Sequence, residues 1–332
     1  MDALALYRQA LVQDTALAGF YHRNVRMESD GGPVLVRIRT GGSDAMDLTC
    51  WREPELLTAV GHHLPATPRL LHASRCPEFQ IHTYIPGPRV DEVAADGRPV
   101  PTAVLTAVGE LFTALLRIPT TALPPRPAHW PRDGETARFA GLLLDLVREI
   151  RHRKVRGHGL YAALGVPEDP CDVLAVRAGG LSRRSFRLLH ADIHRANMIM
   201  ADDGHVAFLD WELALWGDPV YDLADHVHKM SFTPADRQAV VETWVRSAPA
   251  VCRDGWRTDL DFYLGYETMK SAVVDTVRWG RLIRQAAGAG ERHTLCLELA
   301  GKLAAARPYW GTDVALVTDP AAIEAAVHRC LD

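Results

Sequence analysis

Between His190 and Asp210 the chain sets the polar loop His190-Ala191-Asp192-Ile193-His194-Arg195-Ala196-Asn197 directly ahead of two short apolar runs, Met198-Ile199-Met200 and Val206-Ala207-Phe208-Leu209. Asp202-Asp203-Gly204 separates the runs, and an Asp-Gly turn between β-forming residues signals a hairpin. An antiparallel hairpin brings the end of its second strand back beside the start of its first. Asn197 and Asp210 are therefore expected side by side, with Asp192 in the loop just upstream.

These residue types suit a particular chemistry. Magnesium takes hard oxygen ligands, commonly one or two from protein, with phosphates and water supplying the remainder. Asn197 and Asp210 provide such a pair, and Asp192 is left to accept a hydroxyl proton, the base role in phosphoryl transfer. His190, Asp192 and His194 at alternating positions form a competing metal set for a hydrolase. That alternative leaves Asn197, the hairpin and Asp210 without a purpose.

The remainder of the chain bounds the fold. At 332 residues it exceeds the size at which one core keeps growing, which predicts two lobes with a ligand cleft. Apolar content of 48% with 23% charged residues is that of a globular protein. A net charge of -4 gives no overall reason to bind nucleic acid. The basic run Arg148, Arg151, Arg153, Lys154 and Arg156 has no interleaved aromatics, so it reads as a solvated helix face. Six scattered cysteines without a C-x-x-C pair predict reduced thiols in a cytoplasm. Neither a signal segment nor a membrane span is expected.

Periodicity predicts an amphipathic helix over 1–18, then a strand and turn from Gly19 to Asp30 ending at Gly31-Gly32-Pro33. In Val34-Leu35-Val36-Arg37-Ile38-Arg39 alternation gives an apolar back (Val34, Val36, Ile38) and a basic front. A helix is expected from Cys50 to Val60, with Pro54 in its first turn. Phe79 to Ile85 reads as a further strand, stopped by Pro86-Gly87-Pro88, and Ala103 to Leu116 as a helix. Beyond about Thr136 the pattern is mainly helical, the hairpin excepted.

H-x-D-x-x-x-x-N followed thirteen positions later by Asp210, then Asp210-Trp211-Glu212, Gly217-Asp218-Pro219 and Asp222-Leu223-Ala224, resembles the catalytic segment of the aminoglycoside phosphotransferase and choline kinase group of small-molecule kinases. The likeness runs from about Gly19 to Leu223 and is strongest over 188–224. It implies an α+β, bilobal protein-kinase-like fold, with a small antiparallel β-sheet N-lobe over 1–83 and a larger, mainly helical C-lobe over 84–332. ATP and Mg2+ are the implied cofactors and a small hydroxylated molecule the acceptor.

By the same resemblance, Leu35 lies on the adenine side, Arg37 contacts the α/β-phosphates and Glu53 is its helix partner, with Glu55 as a fallback. The backbone of His82, Thr83, Tyr84 and Ile85 resembles the hinge that pairs with adenine. Gly19 to Asn24 resembles the family's phosphate-covering turn, without a true G-x-G-x-x-G. Arg37 stands where the family often has Lys, so its contact is a planar fork. His190 braces the loop, and Asp222 either anchors the loop backbone or is a helix N-terminal carboxylate. Glu212, Asp259, Asp261, Glu267 and Asp275 are acceptor-binding candidates. Glu267 with Lys270 and Asp275 with Arg278 are equally i, i+3 pairs.

The resemblance favours a cationic antibiotic, an aminoglycoside or basic peptide, as acceptor. Choline, homoserine and sugar kinases use the same scaffold, and a catalytically silent nucleotide-binding protein is a further alternative.

Overall fold

The computed structural model describes residues 1–13, 22–40, 48–64, 66–153, 158–311 and 315–331. In chain order its helices are α1 (Ala3–Val12), α2 (Glu53–Val60), α3 (Val90–Val93), α4 (Thr102–Arg117), α5 (Thr136–Arg153), α6 (His158–Leu164), α7 (Asp172–Ala178), α8 (Pro219–Lys229), α9 (Pro234–Ser247), α10 (Ala250–Arg253), α11 (Trp256–Gln285), α12 (Ala289–Trp310) and α13 (Pro320–Cys330). The strands are β1 (His22–Ser29), β2 (Gly32–Arg39), β3 (Leu70–Arg75), β4 (Glu78–Thr83), β5 (Arg187–Leu189), β6 (Met198–Met200), β7 (Val206–Phe208) and β8 (Leu215–Gly217). Two compact units result. One gathers Met1–Ala45, Thr49–Trp130 and Phe186–Ala250, and the other is formed chiefly by Pro131–Ser185 and Val251–Asp332.

The first unit is built on an antiparallel sheet of order β1-β2-β4-β3. Register sets Val25 opposite Val36 and Met27 opposite Val34, then Val36 opposite Ile81 and Ile38 opposite Phe79. These side chains bury against Leu6 and Ala10 of α1. Each buried aliphatic residue of this size contributes about 1.5–3 kcal/mol. Asp2 caps α1 by accepting from the Ala5 amide at 3.0 Å, satisfying a donor that the first turn cannot use.

The other face of β2 departs from the expected basic front: Arg37 is buried, at 7% exposure. α2 covers it, starting at Glu53 with Pro54 in the first turn, where a missing N–H costs nothing. β3 was not legible in Leu70-Leu71-His72-Ala73-Ser74-Arg75, which lacks β-branched residues. β4 stops at Thr83, two residues short of the expected end. Of the expected Gly19–Asn24 turn, residues 19–21 lie outside the described residues, and His22, Arg23 and Asn24 are the first residues of strand β1 rather than a turn.

The hairpin forms as expected, with Met198 opposite Phe208 and Met200 opposite Val206. The Leu209 amide donates to the Asn197 carbonyl at 2.8 Å, which closes the pair beyond the strands. A second two-stranded sheet, β5 with β8, sets Leu188 opposite Trp216. Three-residue strands carry no alternation to read, so this pairing was missed. The Pro86-Gly87-Pro88 segment is stitched to the hairpin: the Met200 amide donates to Pro88 O at 2.9 Å and Asp202 N to Pro86 O at 3.3 Å. Gly87 has φ +133°, and a Cβ there would collide with the Met200 carbonyl oxygen.

The second unit is helical, with its core around α11, where Phe262, Tyr263, Tyr266, Met269, Val273 and Val277 are buried. Among the described residues no helix is long and apolar enough to cross a membrane.

Candidate active site

β5 delivers the chain to His190, and the following loop is held by one face of α8. The Asp222 carboxylate accepts from the His190 amide at 3.2 Å and the Ala191 amide at 2.7 Å. Ala191 has φ +58°, a left-handed conformation that costs a non-glycine residue about 1–3 kcal/mol, and these bonds hold it there. Burial pushes the Asp222 carboxyl up to about 6 although both amides favour its charge. One turn on, His226 Nδ1 donates to the Ile193 carbonyl at 2.8 Å. Arg195, also buried, donates to the carbonyls of Met230, Ala94 and Arg98 at 2.9, 2.9 and 3.0 Å.

His190 packs on the Trp211 ring at 4.4 Å between centroids, and its Nε2 meets the Leu209 carbonyl at 3.1 Å. Burial pulls its pKa down to about 4, so it is a neutral brace between loop and hairpin. Among the described residues no group of three His, Cys, Asp or Glu is disposed to hold a metal, and the His190 Nε2 is taken up by the Leu209 carbonyl.

Asp192 sits at the centre of the loop. Its Oδ2 accepts from Asn197 Nδ2 at 2.8 Å, and the same amide nitrogen donates to the Asp192 carbonyl at 3.1 Å. Its Oδ1 lies 2.6 Å from Lys229 Nζ, and His194 Nε2 stands 3.7 Å from Oδ2. Burial alone would raise this carboxyl, but Lys229 and His194 hold it well below the usual carboxylate range.

Arg37 joins the sheet to the hairpin. One terminal nitrogen donates to Glu53 Oε1 and the other to Asp210 Oδ1, both at 2.8 Å. Glu53 also accepts from the Trp211 amide at 3.1 Å and from Gln80 Nε2 at 3.1 Å. Burial would push Glu53 up, yet Arg37, His82 and those donors bring it down to about 2. Glu55 instead makes an exposed pair with Arg75. Asp210 has φ +61°, a turn that aims its carboxylate back at Arg37.

The donor set fits a divalent cation. Both Asn197 amide contacts go to Asp192, which leaves the Asn197 Oδ1 as the atom for a ligand role, and the Leu209 amide bond to the Asn197 carbonyl brings the residue before Asp210 against Asn197. Burial and then the Asp210 charge push Glu212 up to about 7, and burial pushes Asp210 up as well. Burial is the leading cause of both shifts, and the neighbouring carboxylates add to it against Arg37. Hard oxygens such as these are what magnesium binds.

Of the hinge residues, His82 lies within β4 opposite Leu35, and its ring is buried against Gln80 Oε1 at 2.9 Å. The Thr83 amide donates to Arg69 O at 2.9 Å and the Tyr84 amide to Pro33 O at 3.2 Å. The acceptor candidates of the second unit each have a cation of their own. Asp259 meets Arg184 at 2.5 Å, Asp261 meets Arg177 at 2.8 Å, Glu267 meets Lys270 at 2.6 Å and Asp275 meets Lys302 at 2.8 Å. Glu212 belongs to the first unit, 3.8 Å from His22.

Sequence reasoning missed Lys229, Asp225, Gln80 and His22. A signal existed for the first two: Asp222, Asp225, His226 and Lys229 recur at the spacing of one helix face behind the Asp218-Pro219 start.

The match to a family model of the "Phosphotransferase enzyme family" covers residues 15–258. No curated protein matches the chain. Among solved structures, a choline/ethanolamine kinase family protein from Mesorhizobium loti is 13% identical, with a TM-score of 0.55 over 99% of this chain and 100% of that one. Choline kinase LicA from Streptococcus pneumoniae is 15% identical, with a TM-score of 0.55 over 91% and 97%. Aminoglycoside phosphotransferase APH(4)-Ia is 15% identical, with a TM-score of 0.54 over 98% and 97%. At these identities the likeness carries the fold, α+β and kinase-like, while the family match carries the chemistry of phosphotransfer to hydroxyl groups. The chain belongs to the phosphotransferase enzyme family.

Proposed function

We propose that the protein transfers the γ-phosphoryl group of ATP to a hydroxyl of a small cationic antibiotic, an aminoglycoside or basic peptide, and so confers resistance. The observation that carries the phosphotransfer reading is a pair of clusters in one compact unit, Asp192 with Asn197 and Arg37 with Glu53 and Asp210, joined by the hairpin whose Leu209 amide donates to the Asn197 carbonyl. Relatives of this fold have been solved with AMP and with ADP and hygromycin B, which supports a nucleotide and a hydroxylated acceptor.

In this reading the lobes divide near residue 83, and the backbone from His82 to Ile85, alongside Leu35, receives adenine through groups other than the Thr83 and Tyr84 amides, which pair with Arg69 and Pro33. Arg37, its charge reinforced by Glu53 and Asp210 against the pull of burial, holds the phosphates. Asn197 and Asp210 would hold magnesium, which when bound supplies charge neutralisation on the triphosphate. Asp192 orients the acceptor hydroxyl. As the new O–P bond forms and the bond from the γ-phosphorus to the β-γ bridging oxygen breaks, the hydroxyl proton passes to Asp192 and ADP leaves. A carboxylate held this acidic takes the proton late, in keeping with a loose transition state that needs little base assistance.

Glu212 is the acceptor-binding candidate that lies in the same unit as Asp192; of the others, Asp259, Glu267 and Asp275 are buried in ion pairs and Asp261 is an exposed partner of Arg177. ADP release from Mg·ATP over a panel of aminoglycosides, basic peptide antibiotics, choline, homoserine and sugars tests the proposal. Turnover of metabolites alone would reassign the acceptor. Asp192→Asn should lower kcat by about 10²–10⁴-fold with ATP affinity nearly unchanged; full activity in that variant would remove the phosphotransfer reading.

A further inference from the structure

The last turn of α8 carries a charge pair that the transfer scheme leaves without a task. Asp225 is fully buried, and Lys229 places Nζ 2.8 Å from its Oδ1. The same ammonium stands 2.6 Å from Asp192 Oδ1 and donates to the Ala191 carbonyl at 3.1 Å. An ammonium has three protons, and three oxygens of the loop and helix surround this one.

Electrostatics decides which contact is permanent. Asp225 has no access to water, so removing its counter-ion is far costlier than breaking a surface pair. Lys229 thus stays where Asp225 holds it, whatever Asp192 is doing. The terminal torsion of an aspartate is broad and weakly restrained, so a single contact would leave the plane of the Asp192 carboxylate free to turn. Here each oxygen has its own fixed donor, Lys229 on Oδ1 and Asn197 on Oδ2.

We propose that Lys229, anchored by Asp225, is the positioning residue for Asp192, fixing the plane of its carboxylate so that a remaining lone pair faces the acceptor hydroxyl. This inference rests on the phosphotransfer reading above. α8 then acts as a template for the loop: Asp222 sets two amides, His226 one carbonyl, and Lys229 the carboxylate itself.

The test uses the full chain, with ADP release from Mg·ATP measured against an aminoglycoside, a basic peptide antibiotic and choline, and melting temperature recorded for every variant. Lys229→Met should lower kcat by about 10–100-fold, the scale of a small misplacement of a reacting group, with KM for ATP within about threefold of wild type. Lys229→Arg, which keeps the cation, should recover part of that loss, and Asp225→Asn should lower kcat in the same direction. In an Asp192→Asn background Lys229→Met should subtract nothing more, because the two residues act as one. If Lys229→Met does not fold, Lys229→Gln repeats the cycle with similar length and no charge. Turnover within about twofold of wild type in the folded Lys229 variants, or a full additional loss on top of Asp192→Asn, overturns the proposal. A wild-type chain inactive on all acceptors, or an Asp192→Asn variant as active as wild type, refutes the phosphotransfer reading instead.

Discussion

Arg37 and Asp210 lie 173 positions apart in the chain, and their side chains meet at 2.8 Å while the same guanidinium holds Glu53 at 2.8 Å. The bidentate fork is what allows one residue to serve two carboxylates that approach from different elements. A lysine, with its charge at a single point, would meet both only if they converged on that point.

That difference makes Arg37 separable by substitution. Arg37→Met leaves Glu53 buried without its guanidinium, a loss of about 3–5 kcal/mol measurable by urea unfolding, together with weakened ATP binding. Arg37→Lys should keep the fold and raise KM for ATP several-fold, since the ammonium cannot hold Glu53 and Asp210 together. Equal stability of Arg37→Met and wild type would show that the pair is not structural.

Acid should destabilise the protein from near neutrality. Burial pulls His82, His190 and His226 each down to about 4, against about 6.5 in an unfolded chain. Their stabilisation is complete above pH 6.5 and is lost as pH falls toward 4, because the unfolded state takes up protons that the fold refuses. The full window is worth about 3 kcal/mol per histidine. Asp222, raised to about 6, opposes this: between pH 6 and 4 the fold holds a proton that the unfolded chain releases. His22 is pulled down to about 4 in the same way, while Glu212, raised to about 7, and Asp210, also raised, act as Asp222 does; four histidines against three carboxylates leave a net fall in unfolding midpoint from pH 7.5 to 5. His226→Gln should flatten that dependence, and parallel curves for variant and wild type would exclude His226 from it.

Gly87 is required for the connection between sheet and hairpin. With φ +133° and the Met200 carbonyl in the place of a Cβ, Gly87→Ala must displace either its own segment or β6. The Met200 to Pro88 and Asp202 to Pro86 bonds would be strained first. The expected outcome is faster amide exchange at Met200 and Asp202 and weaker ATP binding, with the α11 core unaffected. Unchanged exchange at those two amides would mean that the segment yields without disturbing the hairpin.

The hairpin between Asn197 and Asp210 was legible because it is local: turn chemistry and strand period fix where its ends lie. Arg37 and Glu53 were found through family likeness, and their burial was not, since alternation alone puts an arginine on the solvent side. β5 and β8 escaped because three residues cannot display a period and their partners are about thirty positions apart. Lys229 escaped for another reason. Its contacts depend on where α8 packs, and nothing within the helix says which loop lies against that face. In the second unit the i, i+3 rule found the Glu267–Lys270 pair at 2.6 Å. It gave only part of the answer for Asp275, whose nearer cation is Lys302 of α12 at 2.8 Å rather than Arg278 at 3.9 Å.

The Glu267–Lys270 pair also bears on the acceptor. Both side chains are almost wholly buried, at 0% and 8% exposure, so each charge persists because the other is present. Lys270→Met should therefore cost about 3–5 kcal/mol by leaving the carboxylate without its ammonium, while the double change Glu267→Leu with Lys270→Met should lie much nearer to wild type. Glu267→Gln is the discriminating variant. A structural carboxylate gives a loss of stability with KM for a cationic acceptor unchanged, whereas a carboxylate that receives the acceptor gives a rise in that KM with stability kept. The burial and the short ion pair place the expectation on the first outcome, and a tenfold rise in KM at constant melting temperature would move Glu267 into the acceptor site.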